Sequence, residues 1–133
     1  MLGRMLSRRR PQGLGHLNSQ HPTRARGLNR LLERERARSD RSGLELSLLL
    51  LGIDGRPPKG VGVETLIVGI EKRCRITDEH GAFNPKTAFA LLPDTTSQGA
   101  RQFAKSVQRH FERQGLKTSF SIYTYTPKNG SDQ

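Results

Sequence analysis

Residues 44–54 read LELSLLLLGID and hold a run of four leucines, at residues 48–51. A run of this length is much shorter than the roughly 20 apolar residues that a membrane span requires. A short apolar run that ends at a turn signal is typical of a buried strand. The two glycines and two prolines of residues 55–60 supply that signal, because neither residue type continues a regular element. We therefore predict a central strand over residues 44–52, covered on at least one face.

The residues after this loop change from a strand pattern to a helical one. Val63, Leu66, Ile67, Ile70 and Cys74 recur at helical spacing, with charged residues between them. This pattern predicts an amphipathic helix that ends by about residue 77. The single cysteine of the chain lies in the apolar set, so we predict a buried thiol and no internal disulfide.

The second half of the chain contains a predicted hairpin, a helix and a last strand. Residues 80–83 and 87–92 are strand candidates on either side of Asn84-Pro85-Lys86, which is turn chemistry. An apolar stripe then predicts a helix over residues 100–111 that ends before Gly115. Residues 118–123 alternate as a strand does. Upstream, leucines at residues 28, 31 and 32 predict a short lead-in helix.

The order strand, helix, strand, strand, helix, strand predicts an α+β fold of the ferredoxin-like βαββαβ type, with helices on one face of an antiparallel sheet. We divide the chain into a disordered basic arm (residues 1–26), a lead-in helix (27–43), the folded domain (44–127) and a polar tail (128–133). The arm lacks any apolar periodicity, which is why we expect it not to fold.

The charge of the chain is concentrated at its N-terminal end. Of the formal net charge of +11, residues 1–42 contribute +8, from eleven Arg and three acidic residues. Such an arm can bind nucleic acid through phosphates, although no recognised nucleic-acid motif follows it. The first ten residues contain no apolar segment of the secretory type, so we expect a cytoplasmic protein. Four scattered histidines and one cysteine show no metal-ligand spacing, and we expect neither a metal nor a cofactor.

Three short segments in the right order resemble a known bacterial family. They are SLLLLGID at residues 47–54, RITD at residues 75–78 and FALLPDT at residues 89–95. In this order and spacing they resemble the GGDEF (diguanylate cyclase-like) domains, which have a nucleotidyl cyclase fold, over about residues 44–126. The resemblance implies a βαββαβ core and a role in cyclic di-GMP signalling.

The signature of that family is absent from this chain. The resemblance places Asn84, Pro85, Lys86, Thr87 and Ala88 where the family has Gly-Gly-Asp/Glu-Glu-Phe. Joining two GTP molecules requires glycines that let the backbone approach the nucleotide and carboxylates that hold divalent metal. Gly52 also stands where the first Asp of the strand-end pair would be, so that only Asp54 is left. We therefore predict a degenerate domain that is not an enzyme.

Without the catalytic signature, the resemblance still implies a binding role. The family's Arg-x-x-Asp serves as an inhibitory site for cyclic di-GMP, and Arg75 and Asp78 match its spacing. An Arg fork can hold a phosphate or a guanine edge, and a carboxylate can accept from guanine nitrogens. The alternative for the same two residues is a local ion pair at a helix end. We expect a regulatory module that acts by protein or cyclic di-GMP binding.

Two further alternatives concern macromolecular partners. The ferredoxin-like topology is shared by RNA-recognition modules, which stack bases on exposed aromatic residues of central strands. The third predicted strand offers only Phe89 and the first offers none, so we consider nucleic acid an unlikely partner; Tyr123 and Tyr125 on the last strand could stack a base or simply pack.

The second alternative is that the helix at residues 28–42 binds another protein or a second copy of this chain. Its sequence ERERARSDR (33–41) resembles the lead-in of short degenerate modules near polysaccharide-synthesis machinery. That likeness suggests a link to polysaccharide synthesis.

Overall fold

The computed structural model describes residues 25–128, and the side chains of residues 27–128. Helix α1 (Ala25–Ser42) precedes strand β1 (Leu46–Ile53), helix α2 (Val63–Glu71), and the hairpin strands β2 (Glu79–Asn84) and β3 (Thr87–Pro93). Helix α3 (Ser97–Glu112) and strand β4 (Thr118–Tyr125) complete the fold. After α1, the element order is the βαββαβ order that the sequence predicts.

The four strands form one antiparallel sheet in the order β2-β3-β1-β4. Strand β1 lies in the interior of the sheet, as its apolar run predicts, and pairs with β3 on one side and β4 on the other. At the first residue of β1, Leu46 stands opposite Pro93 and Tyr125. The N-terminal end of β1 therefore lies beside the corner that connects β3 to α3.

Both faces of the sheet are covered, and each cover has its own apolar core. On one face, Leu49, Leu51 and Ile53 of β1 pack with residues of α2, α3 and β3. On the other face, Leu46, Leu48 and Leu50 pack beneath α1, whose Leu28 and Leu32 are 2% and 1% exposed. Successive side chains of a strand point to opposite faces, so a strand with an unbroken leucine run requires two covers.

The expectation that the two helices of the βαββαβ core lie on one face of the sheet is confirmed. Helices α2 and α3 share one face, whereas α1 covers the other. The leucines of α1 contact the chain's own sheet, so the surface that α1 offers to a partner is its charged outer side. Tyr125 strengthens this docking, because its hydroxyl donates to the two carboxylate oxygens of Asp40 at 3.0 and 3.1 Å.

Helix α2 ends earlier than predicted, at Glu71 instead of near residue 77. The chain then turns through residues 72–78, and this turn contains Cys74, Arg75 and Asp78. The apolar spacing of Cys74 was misleading, because its partly buried side chain packs against the same core from the turn. The predicted hairpin is confirmed, with Pro85 and Lys86 as its two turn residues.

Part of the predicted domain division falls outside the described residues. The expected disordered arm lies there except for Ala25 and Arg26, which are in α1, and so does the tail beyond Lys128. Within residues 25–128, no helix is long and apolar enough to cross a membrane.

Candidate functional site

The hairpin tip and the end of β1 lie side by side at one end of the sheet. The Asn84 side-chain oxygen accepts from the Lys86 backbone N–H at 2.9 Å and closes the turn. The Ile53 backbone N–H donates to the Lys86 carbonyl at 3.0 Å, and the Lys86 ammonium donates to the Gly55 carbonyl at 3.3 Å. Residues 84–88 therefore adjoin the strand end that carries Gly52 and Asp54.

The side chains at this end of the sheet do not form a suitable set of ligands for a divalent metal ion. Lys86 places an ammonium beside the strand end, and Asp54 is an exposed carboxylate there. Thr87 fills the space above Gly52, since a Cβ on that glycine would lie 3.3 Å from the Thr87 hydroxyl oxygen, and Ala88 is fully buried. Among the described side chains, no three His, Cys, Asp or Glu residues converge into a possible metal site. Magnesium in nucleotide enzymes is held by carboxylates and phosphates, and an ammonium opposes it.

Arg75 and Asp78 meet at the other end of the sheet, in the turn after α2. The Asp78 carboxylate accepts from the Arg75 backbone N–H at 2.8 Å and from its guanidinium at 2.9 to 3.3 Å. The Asp78 side chain is 2% exposed, whereas that of Arg75 is 53% exposed. The structure thus realises the local ion pair, and within it the carboxylate is buried while the guanidinium faces outward.

The Arg75 guanidinium also ties this turn to the corner between β3 and α3. Its Nη2 donates to the Pro93 carbonyl at 2.8 Å and to the Thr95 hydroxyl at 2.9 Å. The hydrogen bond with Asp78 raises the pKa of Arg75 above its ordinary value, and the negative charges of Asp78 and Asp94 add to this effect. Asp78 therefore positions Arg75, and the exposed edge of the guanidinium is available to a ligand.

A cleft of about 370 Å³ opens beside this guanidinium, and we call it the Arg75 cleft. One wall carries Arg73, whose Nε donates to the Ser106 hydroxyl at 3.0 Å. Another wall is the beginning of α3, where the Thr96 hydroxyl accepts from the Gly99 N–H at 3.1 Å and caps the helix. The lining residues are Arg73, Arg75, Asp78, Leu92, Asp94, Thr95, Thr96, Gly99 and Phe103.

Comparison with known proteins defines the fold. No protein-family profile matches the chain, and no curated protein does either. A diguanylate cyclase (DGC) protein from Thermotoga maritima has a similar structure, with a TM-score of 0.66, 15% identity, and coverage of 80% of this chain and 82% of that one. The GGDEF domain of DgcB from Caulobacter crescentus, in complex with c-di-GMP, gives a TM-score of 0.64 at 11% identity, over 83% and 77% of the two chains. This chain has the GGDEF fold.

A third similar structure is diguanylate cyclase SiaD from Pseudomonas aeruginosa in complex with its activator SiaC. It gives a TM-score of 0.63 at 19% identity, and covers 83% of this chain. The match spans 49% of SiaD, about half of that protein. At these identities the GGDEF likeness is one of fold, and the site residues must be judged from this chain's own geometry.

The sequence pointed to only Arg75 and Asp78 among the nine lining residues of the cleft, and three of the others carry a charge or an aromatic ring. Arg73 reads as part of the polar side of α2, Phe103 as part of the apolar stripe of α3, and Asp94 as one of several helix-start residues. The available signal was the pair of segments that carry the resemblance, at residues 75–78 and 89–95. These two segments are in contact, because Arg75 donates hydrogen bonds to Pro93 and Thr95.

The sheet of the GGDEF-like domain offers no platform for stacked bases in its described part. Phe89, the aromatic residue of β3, is fully buried beneath α1. Tyr123 and Tyr125 are partly buried and pack against the same core. RNA recognition by a bare sheet requires exposed aromatics on central strands, so this geometry argues against that alternative for the folded part.

Proposed function

We propose that this chain is a GGDEF-like regulatory module without cyclase activity, which binds cyclic di-GMP in the Arg75 cleft. The observation that carries the proposal is the contrast between the two ends of the sheet. The end that needs carboxylates and glycines carries Lys86 and Pro85, whereas the other end presents an ordered, outward-facing guanidinium beside a cleft.

Binding in this cleft uses ordinary anion recognition. Arg75 is held by hydrogen bonds to Asp78, Pro93 and Thr95, so little side-chain freedom is lost when a ligand arrives. Arg73 adds a second guanidinium, and the start of α3 adds the partial positive charge of a helix N-terminus. Both features favour a phosphate group of the ligand.

Calorimetric titration with cyclic di-GMP tests the binding half of the proposal. The wild type should bind, and Arg73→Ala should weaken binding about tenfold or more, since a hydrogen bond to a charged group contributes about 1.5–3 kcal/mol. Arg73 is preferable to Arg75 as the first variant, because removing Arg75 would leave the buried Asp78 carboxylate without its partner.

Arg56→Ala is the matched control, since Arg56 is an exposed arginine in the loop after β1 and outside the cleft lining. A wild type that gives no heat of binding would overturn the assignment of cyclic di-GMP to this cleft.

Incubation with GTP and Mg²⁺ or Mn²⁺ tests the catalytic half. We expect no cyclic di-GMP by chromatography, because the hairpin tip lacks the metal-binding carboxylates. Accumulation of product above a heat-inactivated control would contradict our assignment of residues 84–88.

Protein binding is the second candidate, and exposed apolar side chains favour it. Ile76 is fully exposed beside Arg75, and Leu44 and Val68 are 49% and 51% exposed. SiaD, which has the same fold, is in complex with its activator SiaC.

The setting we propose is the regulation of polysaccharide synthesis. Loss of the gene should change exopolysaccharide staining of the host, and restoration by the wild type but not by Ile76→Ser would support the protein-binding role.

A further inference from the structure

The charge balance of the Arg75 cleft differs from that of a simple anion site. The lining contains two arginines and two aspartates, so its formal charge is zero. Asp78 is saturated by Arg75 and buried, which leaves Asp94 as the exposed carboxylate of the lining. A site built for phosphate alone gains nothing from an open carboxylate, because the two negative charges repel.

Asp94 also has an unusual backbone conformation. Its φ is +54°, and it is the one residue other than glycine with a positive φ among residues 25–128. Aspartate tolerates this left-handed region better than most residues, but glycine and asparagine adopt it at no greater cost. The conformation alone therefore does not require a carboxylate at this corner, and the choice of aspartate points to the chemistry of its side chain.

The remaining walls of the cleft suit a flat aromatic base. Phe103 and Leu92 are apolar lining residues, and Phe103 is partly exposed. Guanine presents two donors, N1–H and N2–H₂, on one edge and two acceptors, O6 and N7, on another. A carboxylate matches the donor edge and an arginine matches the acceptor edge. The cleft holds both groups, and the negative charge of Asp94 is close enough to Arg75 to help raise the pKa of its guanidinium.

We propose that Asp94 is the residue that selects guanine in the Arg75 cleft, by accepting hydrogen bonds from N1 and N2 of a guanine base. This inference rests on the proposed function, since it assumes that the cleft binds a guanine nucleotide. In this arrangement the buried Asp78 positions Arg75, and the exposed Asp94 reads the base. Adenine lacks the N1–H and N2–H₂ donors, so a carboxylate at this place rejects it.

Titrations of wild type and Asp94→Asn with cyclic di-GMP and with cyclic di-AMP test the inference. Wild type should prefer cyclic di-GMP. Asp94→Asn should weaken cyclic di-GMP binding about tenfold or more, in line with the discrimination carried by a bidentate base contact, and should not weaken cyclic di-AMP binding. The matched control is Asp54→Asn, another exposed aspartate, which follows the opposite end of β1.

The stability of Asp94→Gly separates ligand reading from a structural role. Glycine adopts a positive φ freely, so this variant should melt at or above the wild-type temperature while losing guanine preference. No binding of cyclic di-GMP by wild type would overturn both the proposed function and this inference. Binding with equal affinity by Asp94→Asn, or equal affinity of wild type for the two dinucleotides, would overturn this inference alone.

Discussion

At the residue scale, Cys74 shows how the turn after α2 controls the chemistry of a side chain. The thiol is partly buried against the core of α2, α3 and the sheet. Burial raises the pKa of Cys74 to about 12, and the nearby negative charges of Asp78 and Glu71 act in the same direction. A thiol with a raised pKa stays protonated at neutral pH, and the protonated form is a poor nucleophile.

We predict that Cys74 reacts slowly with thiol reagents in the native protein. At pH 8, alkylation by iodoacetamide should be about a hundredfold or more slower in the native protein than for the same chain in urea. The reason is that the thiolate fraction falls tenfold for each unit by which the pKa of the thiol rises. The chain contains one cysteine, so mass spectrometry of the whole protein reads this site directly. Equal rates with and without urea would show that the turn does not protect the thiol.

The same turn shows what the sequence could and could not predict at the level of single residues. The Arg-x-x-Asp spacing singled out Arg75 and Asp78 as a ligand site or a local ion pair, and the two side chains form that ion pair, since residues three apart in a turn meet easily. Spacing carries no information on burial, so it did not reveal that the Asp78 side chain is 2% exposed and Arg75 is 53% exposed. It also did not reveal Asp94, whose place in the cleft depends on a contact between segments about 20 residues apart.

At the element scale, the close packing of α2 on α3 depends on the absence of a side chain at Gly69. A Cβ on Gly69 would lie within 2.9 Å of Cε2 of Phe111, whose ring is 1% exposed and cannot easily move. Such close approach of a helix backbone to an aromatic ring requires glycine. The glycine lies in the last turn of a helix that spans Val63–Glu71, where alanine would otherwise be preferred.

We predict that Gly69→Ala lowers the free energy of unfolding by about 1–3 kcal/mol, the usual effect of overpacking a core. Helix propensity alone would give the opposite sign, with alanine more stable by about 0.5–1 kcal/mol. Gly62→Ala is the control for an added Cβ, because a Cβ there has no neighbour within 4 Å. Gly62 is the N-cap of α2, where alanine is less favourable than glycine, so we expect a loss there that is smaller than at Gly69. Urea denaturation of both variants measures the difference, and a stabilised Gly69→Ala would refute the close contact.

Hydrophobic periodicity predicted most elements, but it did not predict where α2 ends or which surface α1 covers. Strand β1 was found from its short apolar run, and the hairpin strands from the turn chemistry between them. Strand β4 and helix α3 were found because their apolar residues alternate or recur at helical spacing. Helix α2 was drawn too long because Cys74 continues the spacing from beyond the helix end. The leucines of α1 indicated an apolar edge, but only the packing shows that this edge covers β1 and β3.

At the scale of the whole molecule, α1 completes a three-layer arrangement in which neither face of the sheet is open. Leu46, Leu48 and Leu50 on one face of β1 are at most 3% exposed beneath this cover. A protein whose sheet is covered on both faces presents mainly clefts, loops and helix surfaces to its partners. Nucleic-acid binding, if the chain shows any, must then come from charge outside the sheet.

We predict that any affinity for RNA or DNA resides in the N-terminal arginines. Residues 1–24 contain five Arg and no acidic residue, so changing Arg4, Arg8, Arg9, Arg10 and Arg24 to Gln lowers the net charge from +11 to +6. In filter binding with poly(U), this full-length variant should lose most of the wild-type affinity.

Its dependence on salt should also be shallower, because each lost phosphate contact removes about 0.7 from the slope for a single strand. The control changes Lys72, Lys105, Lys117, Arg101 and Arg109 to Gln. These five exposed cations of the folded part remove the same charge. Loss of affinity in the control, with the arginine variant unaffected, would place the binding surface on the folded domain and reopen nucleic-acid recognition as its function.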